Sequence, residues 1–405
     1  TPLTMDDIIY SLNKYRDEPK FVFGAMWRRN LKNFEVISPT HLRVHFNTAD
    51  QGFIGRLWWS TGIMPKAYRE KVGDKGFAEK PMGSGPFTWD SYKQDRWFKV
   101  NARAEHFRQA PFVKSVKVVF VPEHSTRLAM LRTGEAHIVV SLLPAHVKQV
   151  EKASNTRVLW NKFTTGVNLY YGDLLDMKTP SPFHDIRVRR AVSLAINRKA
   201  ICEKVLFGAS EPWGDVLAPI SLGYDPSLKP TPYDPEKAKR LLKEAGYPNG
   251  FETTITVQTT NTIAEALSAS LLGVGIRAKV VKMEIGAFYG NFFPRKLRGI
   301  IPYVGWYDPE IQAPADLMDF YLKGMPHAYA TSDEIDAAIK EGMYSENDDQ
   351  LFASGRKISK IIRESEYTTF LWASHSALGL SDKILEWKPT VGGIPPIEFE
   401  TIKMK

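Results

Sequence analysis

The residues best suited to chemistry stand at 303–310, Y-V-G-W-Y-D-P-E. An apolar run, residues 300–304, reaches Gly305 and is followed at once by Trp306, Tyr307, Asp308 and Pro309. That order reads as a buried strand ending in a loop, and loops held by a rigid strand are where binding groups concentrate. Trp306 and Tyr307 offer flat apolar faces with a polar handle, and Asp308 offers a carboxylate that an ammonium group can meet at short range. The plain structural alternative is a tryptophan filling core and an aspartate opening a turn before proline, so the rest of the chain has to decide.

Other motifs fail on context. Residues 273–278, G-V-G-I-R-A, match a dinucleotide fingerprint in their letters, but the glycines end a helical pattern and precede a strand, the reverse of what phosphate binding at a helix N-terminus requires. M-G-S-G-P-F at 82–87 looks like a phosphate loop and lacks both the lysine and the following helix. His41 and His45 share one face of a strand pattern but lie about 13 Å apart at ~3.3 Å per residue, too far for one metal. Cys202 is the only cysteine, which excludes an intramolecular disulfide and a cysteine-based zinc site. It lies in a helical pattern as a small buried apolar residue. No nucleophile elbow, metalloprotease motif or calcium loop is present. No catalytic residue, metal or cofactor is assigned.

Composition is that of an ordinary globular chain. Of 405 residues 43% are hydrophobic and 12% aromatic, enough for large cores and two or more lobes. The net charge of +9 comes from 54 basic and 45 acidic residues. The basic residues are interspersed with acids, as at 237–244, instead of forming the block that nucleic acid would demand, and no nucleic-acid role is read. No apolar run reaches the ~18 residues of a membrane span. The start, Thr1-Pro2-Leu3-Thr4, carries no signal-peptide pattern and no initiator methionine.

The elements that must position these groups follow from capping and periodicity. Thr4 with Asp7 three residues on predicts a capped helix. Residues 41–46 alternate as a strand, and 52–59, with Trp58 and Trp59 near glycines, suit a ligand wall. Residues 116–121, 125–133 and 136–140 read as strand, helix and strand, a β-α-β unit in a parallel or mixed sheet. Residues 164–171 form a strand and 185–201 one strong helix. Asp234-Pro235-Glu236 starts a helix that stops at Gly246. Strand 252–258, helix 263–272 and strand 278–283 complete an α/β second half.

Taken together, L-A-M-L-R-T-G-E at 128–135, D-I-R-V-R-R-A-V-S-L-A-I-N-R at 185–198 and Y-D-P-E-K-A-K-R-L-L-K-E-A-G at 233–246, with 82–87 and 272–279, resemble the extracellular solute-binding proteins of ABC importers. The class is the one that includes oligopeptide, dipeptide, nickel and opine receptors, family 5. The resemblance implies an α/β, two-lobed periplasmic-binding-protein-like fold with mixed sheets, a hinge of two crossover strands and a ligand cleft between lobes. Lobe one takes residues 1–165, with a smaller subdomain near 1–80, completed by 371–405; lobe two takes 166–370. The crossovers are 164–171 outgoing and 367–378 returning. Relatives begin lobe one with strands that have no counterpart here, so the N-terminal part of lobe one is expected to be absent and apolar surface to be exposed.

The resemblance also implies the site. Trp306 and Asp308 match a tryptophan and an ammonium-pairing aspartate of peptide-binding relatives. Where some relatives place a carboxylate-binding arginine, this chain has Tyr303, and Arg295 stands as the best compensating cation. Trp59, Asn168, Tyr170, Tyr171 and Tyr307 are the expected walls. The implied activity is periplasmic capture of a peptide or related amine-bearing solute by lobe closure and delivery to an ABC permease in the membrane, by a monomer without a cofactor. A ligand-sensing domain of a regulatory protein, or an enzyme acting on peptides, are the alternatives.

Overall fold

The structure is a computed structural model that describes the chain except residues 1, 19–20, 22–23, 51–52, 222, 259–262, 307–316, 318–319, 326–327 and 390–397, and the side chains of 25, 26, 29, 56, 58–60 and 306. The first helix, Met5–Asp17, starts as its sequence dictates: the Asp7 N–H donates to Thr4 Oγ1 at 3.3 Å and the Thr4 N–H to the Asp7 carboxylate at 2.9 Å. With the antiparallel pair β1 (Leu31–Ser38) and β2 (His41–Phe46) it encloses a small core of Leu12, Trp27, Leu31 and Phe53. Residues 53–60 form a helix, which carries the backbone of Trp59.

β3 (Phe87–Lys93), β4 (Trp97–Ala102) and β5 (Ser115–Val119) make a separate antiparallel sheet. The helix His124–Thr133 follows and leads to β6 (Ile138–Leu142). The expected β-α-β unit is corrected here: β5 and β6 belong to different sheets, the helix bridging between them. The alternation of element types was right, but it does not specify which strands pair.

The principal sheet adds β7 (Thr156–Tyr171), β8 (Ser210–Pro212), β9 (Glu252–Gln258), β10 (Arg277–Met283), β11 (Ile300–Trp306) and β12 (Thr369–Ser381). Its order is β10-β9-β11-β7-β12-β6, with β8 on β12. β9 runs parallel to β10 and β11, while β7 is antiparallel to both β11 and β12, so the sheet is mixed. β7 and β12 pair from Thr369 opposite Leu169 to Ser381 opposite Thr156. Beyond the sheet, β13 (Ile384–Glu386) pairs with β14 (Lys403–Met404).

Because strand side chains alternate between faces, the half of β7 that meets β11 feeds two cores. Val167, Leu169 and Tyr171 face a core shared with the helices Ile186–Ala195, Pro235–Glu244 and Ala264–Leu272. Tyr170 faces the other, with Ile301, Tyr303, Phe292, Phe370 and the helices Asp333–Met343 and Asp348–Ser365.

The single helix expected over 185–201 is two. Ile186–Ala195 ends at an extended Ile196, and Asn197 caps a second helix, Arg198–Lys204, accepting the Ala200 N–H at 3.0 Å. Arg198 holds the break: its buried guanidinium donates to the carbonyls of Ser193, Ile196, Thr231 and Phe370. The second helix keeps Cys202 in the core at 2% exposure, where burial pushes the thiol up to about 12. The Asp234 cap forms as expected, accepting the Lys237 N–H at 2.8 Å. The glycines at 273–275 serve packing: a Cβ on Gly250, at φ +71°, would lie 1.9 Å from the Gly275 carbonyl oxygen. Among the described residues no helix is long and apolar enough to cross a membrane.

Candidate functional site

The pairing of β11 with β7 is regular over seven positions, from Ile300 opposite Tyr171 to Trp306 opposite Thr165. Directly opposed residues of an antiparallel pair share a face. Tyr303 stands opposite Asn168, Gly305 opposite Gly166 and Ile301 opposite Tyr170. On its other side Asn168 meets Phe370 of β12. One face of three adjacent strands thus carries an amide between two aromatic rings, then two opposed glycines. Among the described residues a Cβ added at Gly305 would meet only Tyr303 Cε1, at 3.9 Å, so they leave the backbone there open to close approach.

Asn168 is 7% exposed, and its amide makes no hydrogen bond with the described residues. Buried polar side chains are nearly always partnered, and one that is not is poised to serve something else. Beneath it lies an aromatic floor. The Tyr303 ring stacks on Phe292 at 4.6 Å and 6° and meets Tyr170 edge-on at 5.7 Å. Tyr170 packs in turn on Phe320 and Tyr329. With Tyr170 3% and Tyr303 7% exposed, these packed rings hold the strand face rigid.

Tyr171 belongs elsewhere. Strand alternation turns it away from Asn168 and Tyr170 into the opposite core, with no exposed surface and its hydroxyl 2.7 Å from Thr369 Oγ1. Burial pushes its phenol well above the usual range. The wall expected of Tyr171 is corrected to a core position. Arg295 also lies apart: it is exposed in a left-handed turn at φ 57°, donating to the Ala328 carbonyl at 3.4 Å. It precedes β11, whose six steps from Ile300 to Trp306 span about 20 Å. Trp306 has its backbone in β11, while its side chain, Tyr307, Asp308 and the side chain of Trp59 lie outside the described residues.

Two features of this region carry no sequence signal. Gly166 faces Gly305 only because of register, and Phe163, a few residues earlier on β7, adopts a left-handed conformation at φ 55° that its residue type does not announce. Among the described residues no group of three or more His, Cys, Asp or Glu is placed to hold a metal.

The mixed sheet threaded by two long antiparallel strands, with a core on each face, is the fold of the two-lobed periplasmic binding proteins. The chain has the fold of the Helicobacter pylori periplasmic binding protein DppA solved with peptide STSA, at a TM-score of 0.84 and 23% identity over 99% of this chain and 81% of that one. It is also similar to the Bacillus subtilis oligopeptide-binding protein AppA solved with a nonapeptide, at a TM-score of 0.81 and 20% identity over 100% of this chain and 84% of that one. Residues 1–309 match the family described as bacterial extracellular solute-binding proteins, family 5, and the chain belongs to that family. The glutathione-binding protein GsiB of Escherichia coli strain K12 is 33% identical over 264 residues, 64% of this chain and 50% of that protein. The chain thus spans about half the length of the curated relatives it matches.

Proposed function

We propose that this chain is the solute-capturing component of an ABC importer, working in the periplasm or at the outer face of the cytoplasmic membrane. It takes a short peptide carrying a free ammonium group and presents it to a membrane permease. Residues 1–165 with 371–405 form one lobe and 166–370 the other, joined by β7 and β12. The ligand lies along the face of Gly166, Asn168, Tyr303 and Gly305. Asn168 supplies a hydrogen bond to a ligand amide, and Asp308, which follows Trp306 by two residues in sequence, meets the ammonium group.

The observation that carries this reading is the Asn168 amide, 7% exposed and without a hydrogen-bond partner among the described residues, opposite Tyr303 of β11, the strand that precedes that aspartate in sequence. An amide with no partner among the described residues favours ligands that supply one, since a hydrogen bond contributes about 0.5–1.5 kcal/mol. The relatives' peptide and glutathione ligands, as their names give them, support the same class. Discrimination comes from Asp308, because a carboxylate buried by lobe closure without a cation is strongly disfavoured.

Isothermal titration calorimetry with glutathione, a panel of di- to pentapeptides and their N-acetylated forms tests the proposal. Binding of at least one free peptide, loss on acetylation, and weakening by at least ~1.5 kcal/mol in Asp308→Asn are expected. Equal affinity for acetylated and free peptides would remove Asp308 from the site, and no binding by any peptide would overturn the ligand class.

A further inference from the structure

The pairing of the two crossover strands is interrupted twice, between Phe370 and Trp372 and, more widely, between Ser374 and Ser376. Ser374 pairs with Thr165 and Ser376 with Asn161, so Lys162, Phe163 and Thr164 of β7 stand against His375 alone on β12. This is a bulge of three against one. It falls where β12 exchanges its other neighbour, from β8 at 372–374 to β6 at 377–380. Of the two interruptions this one leaves more residues out of the ladder, so a rotation of one lobe on the other disturbs few strand bonds here.

His375 ties this joint together. Its Nδ1 accepts the N–H of Phe163, the residue held at φ 55°, at 3.1 Å, and its own backbone N–H donates to the Ala209 carbonyl at 2.8 Å. Phe163 packs edge-on against the imidazole at 5.2 Å and rests on Trp213 at 5.8 Å. The Nε2 atom lies 3.9 Å from the Glu211 carboxylate. Hydroxyls complete the joint: Thr164 lies 3.2 Å from Ser376, and Ser210 donates to Ser374 at 3.0 Å.

We propose that His375 is a proton-operated latch on the hinge, engaged when its imidazole is neutral and released when it is protonated. An acceptor at Nδ1 needs its lone pair, so the Phe163 bond exists only with the ring proton on Nε2, toward Glu211. Protonation sets an N–H against an N–H and frees the strained Phe163 backbone.

The groups facing the imidazole are Glu211 on β8, Lys162 on β7 and the Ser374 carbonyl on its own strand. Burial pushes His375 below the ordinary histidine range; Glu211 pulls it up, Lys162 pushes it down, and the Ser374 carbonyl pulls it up, with the net direction downward. The latched state binds fewer protons than the released one. Acid therefore favours release, and the latch stays engaged at neutral pH. This regulation rests on the reading of β7 and β12 as the hinge of a ligand-capturing protein, and its consequence is faster loss of ligand in acid.

Spin labels at Lys148→Cys and Lys243→Cys, exposed and on opposite lobes, report the joint in the full chain without any ligand; Cys202 is buried and stays unlabelled. The inter-label distance distribution is expected to shift between about pH 7.5 and about pH 5, across the histidine range. His375→Asn, whose Oδ1 supplies an acceptor that does not titrate, is expected to keep the neutral distribution at both pH values. His375→Leu is expected to show the acid distribution at both. Should the leucine variant fail to fold by circular dichroism, the wild-type and asparagine proteins decide alone. No shift in the wild type, or an equal shift in His375→Asn, overturns the latch. Glutathione titrations on the same samples keep the questions separate: absent binding counts against the ligand reading and leaves the distance result to judge the hinge.

Discussion

The hydroxyls of Tyr171 and Thr369 lie 2.7 Å apart in a core sealed from solvent, joining the end of β7 to the start of β12. They fasten this end of the β7–β12 pair, whose ladder is interrupted further along at the bulge opposite His375. Tyr171→Phe removes the bond and leaves the Thr369 hydroxyl without it, so a destabilisation of about 1 kcal/mol is expected in urea unfolding. Because Tyr171 is walled off from the Asn168 face, peptide affinity measured by calorimetry should not move. A loss of affinity with stability intact would place Tyr171 back in the site.

Asn168 should respond in the opposite way. Its amide has no partner among the described residues, so Asn168→Leu removes a buried polar group that contributes nothing to folding while keeping most of its volume. Thermal unfolding is expected to be unchanged or slightly later, while affinity for a bound peptide falls by about 1 kcal/mol or more. A destabilised variant with unchanged affinity would make Asn168 a structural residue.

The contrast between these residues shows how far the sequence could be read. Caps were legible because they are local chemistry: Thr4 with Asp7, and Asp234 before Pro235, sit where their side chains meet free N–H groups. Strand β9 spans residues 252–258, as expected. Partnership was not legible. Tyr170 and Tyr171 are adjacent and similar, yet strand alternation sends them to different cores, and only the pairing of Tyr303 with Asn168 identifies the face that matters. Likewise nothing local separates β5 from the sheet of β6. The break at Ile196 was hidden because Arg198 looks like a solvated helical arginine until its carbonyl partners, distant in sequence, are in place.

Arg198 gives a prediction of its own. It is 3% exposed, and its five donors serve four carbonyls and the Ser193 hydroxyl, tying the helix break to β12 through Phe370. Arg198→Lys retains a charge but has no planar fork to reach these acceptors. Stability should fall by about 2 kcal/mol or more in denaturant titration, because buried carbonyls lose their donors. A neutral outcome would mean that water enters and replaces the guanidinium.

Glu366 supplies a pH-dependent test. It is 6% exposed in a left-handed turn at φ 48°, with one carboxylate oxygen accepting from Arg363 at 3.0 Å and the other buried without a partner among the described residues. Burial raises its pKa, against the opposing pull of Arg363, Arg198, Arg190 and Arg189. For an acid whose folded pKa lies above its unfolded one, the native state carries a penalty at neutral pH. That penalty recedes as pH falls through the folded pKa toward the ordinary carboxylate value. Glu366→Gln keeps an oxygen for Arg363 and removes the charge, so it should raise the midpoint of thermal unfolding at neutral pH. The advantage should shrink toward zero as the solution approaches about pH 4, near the unfolded glutamate value. An advantage that grows in acid, or a loss at neutral pH, would show that the arginines outweigh burial and that Glu366 is held ionised as a structural anion.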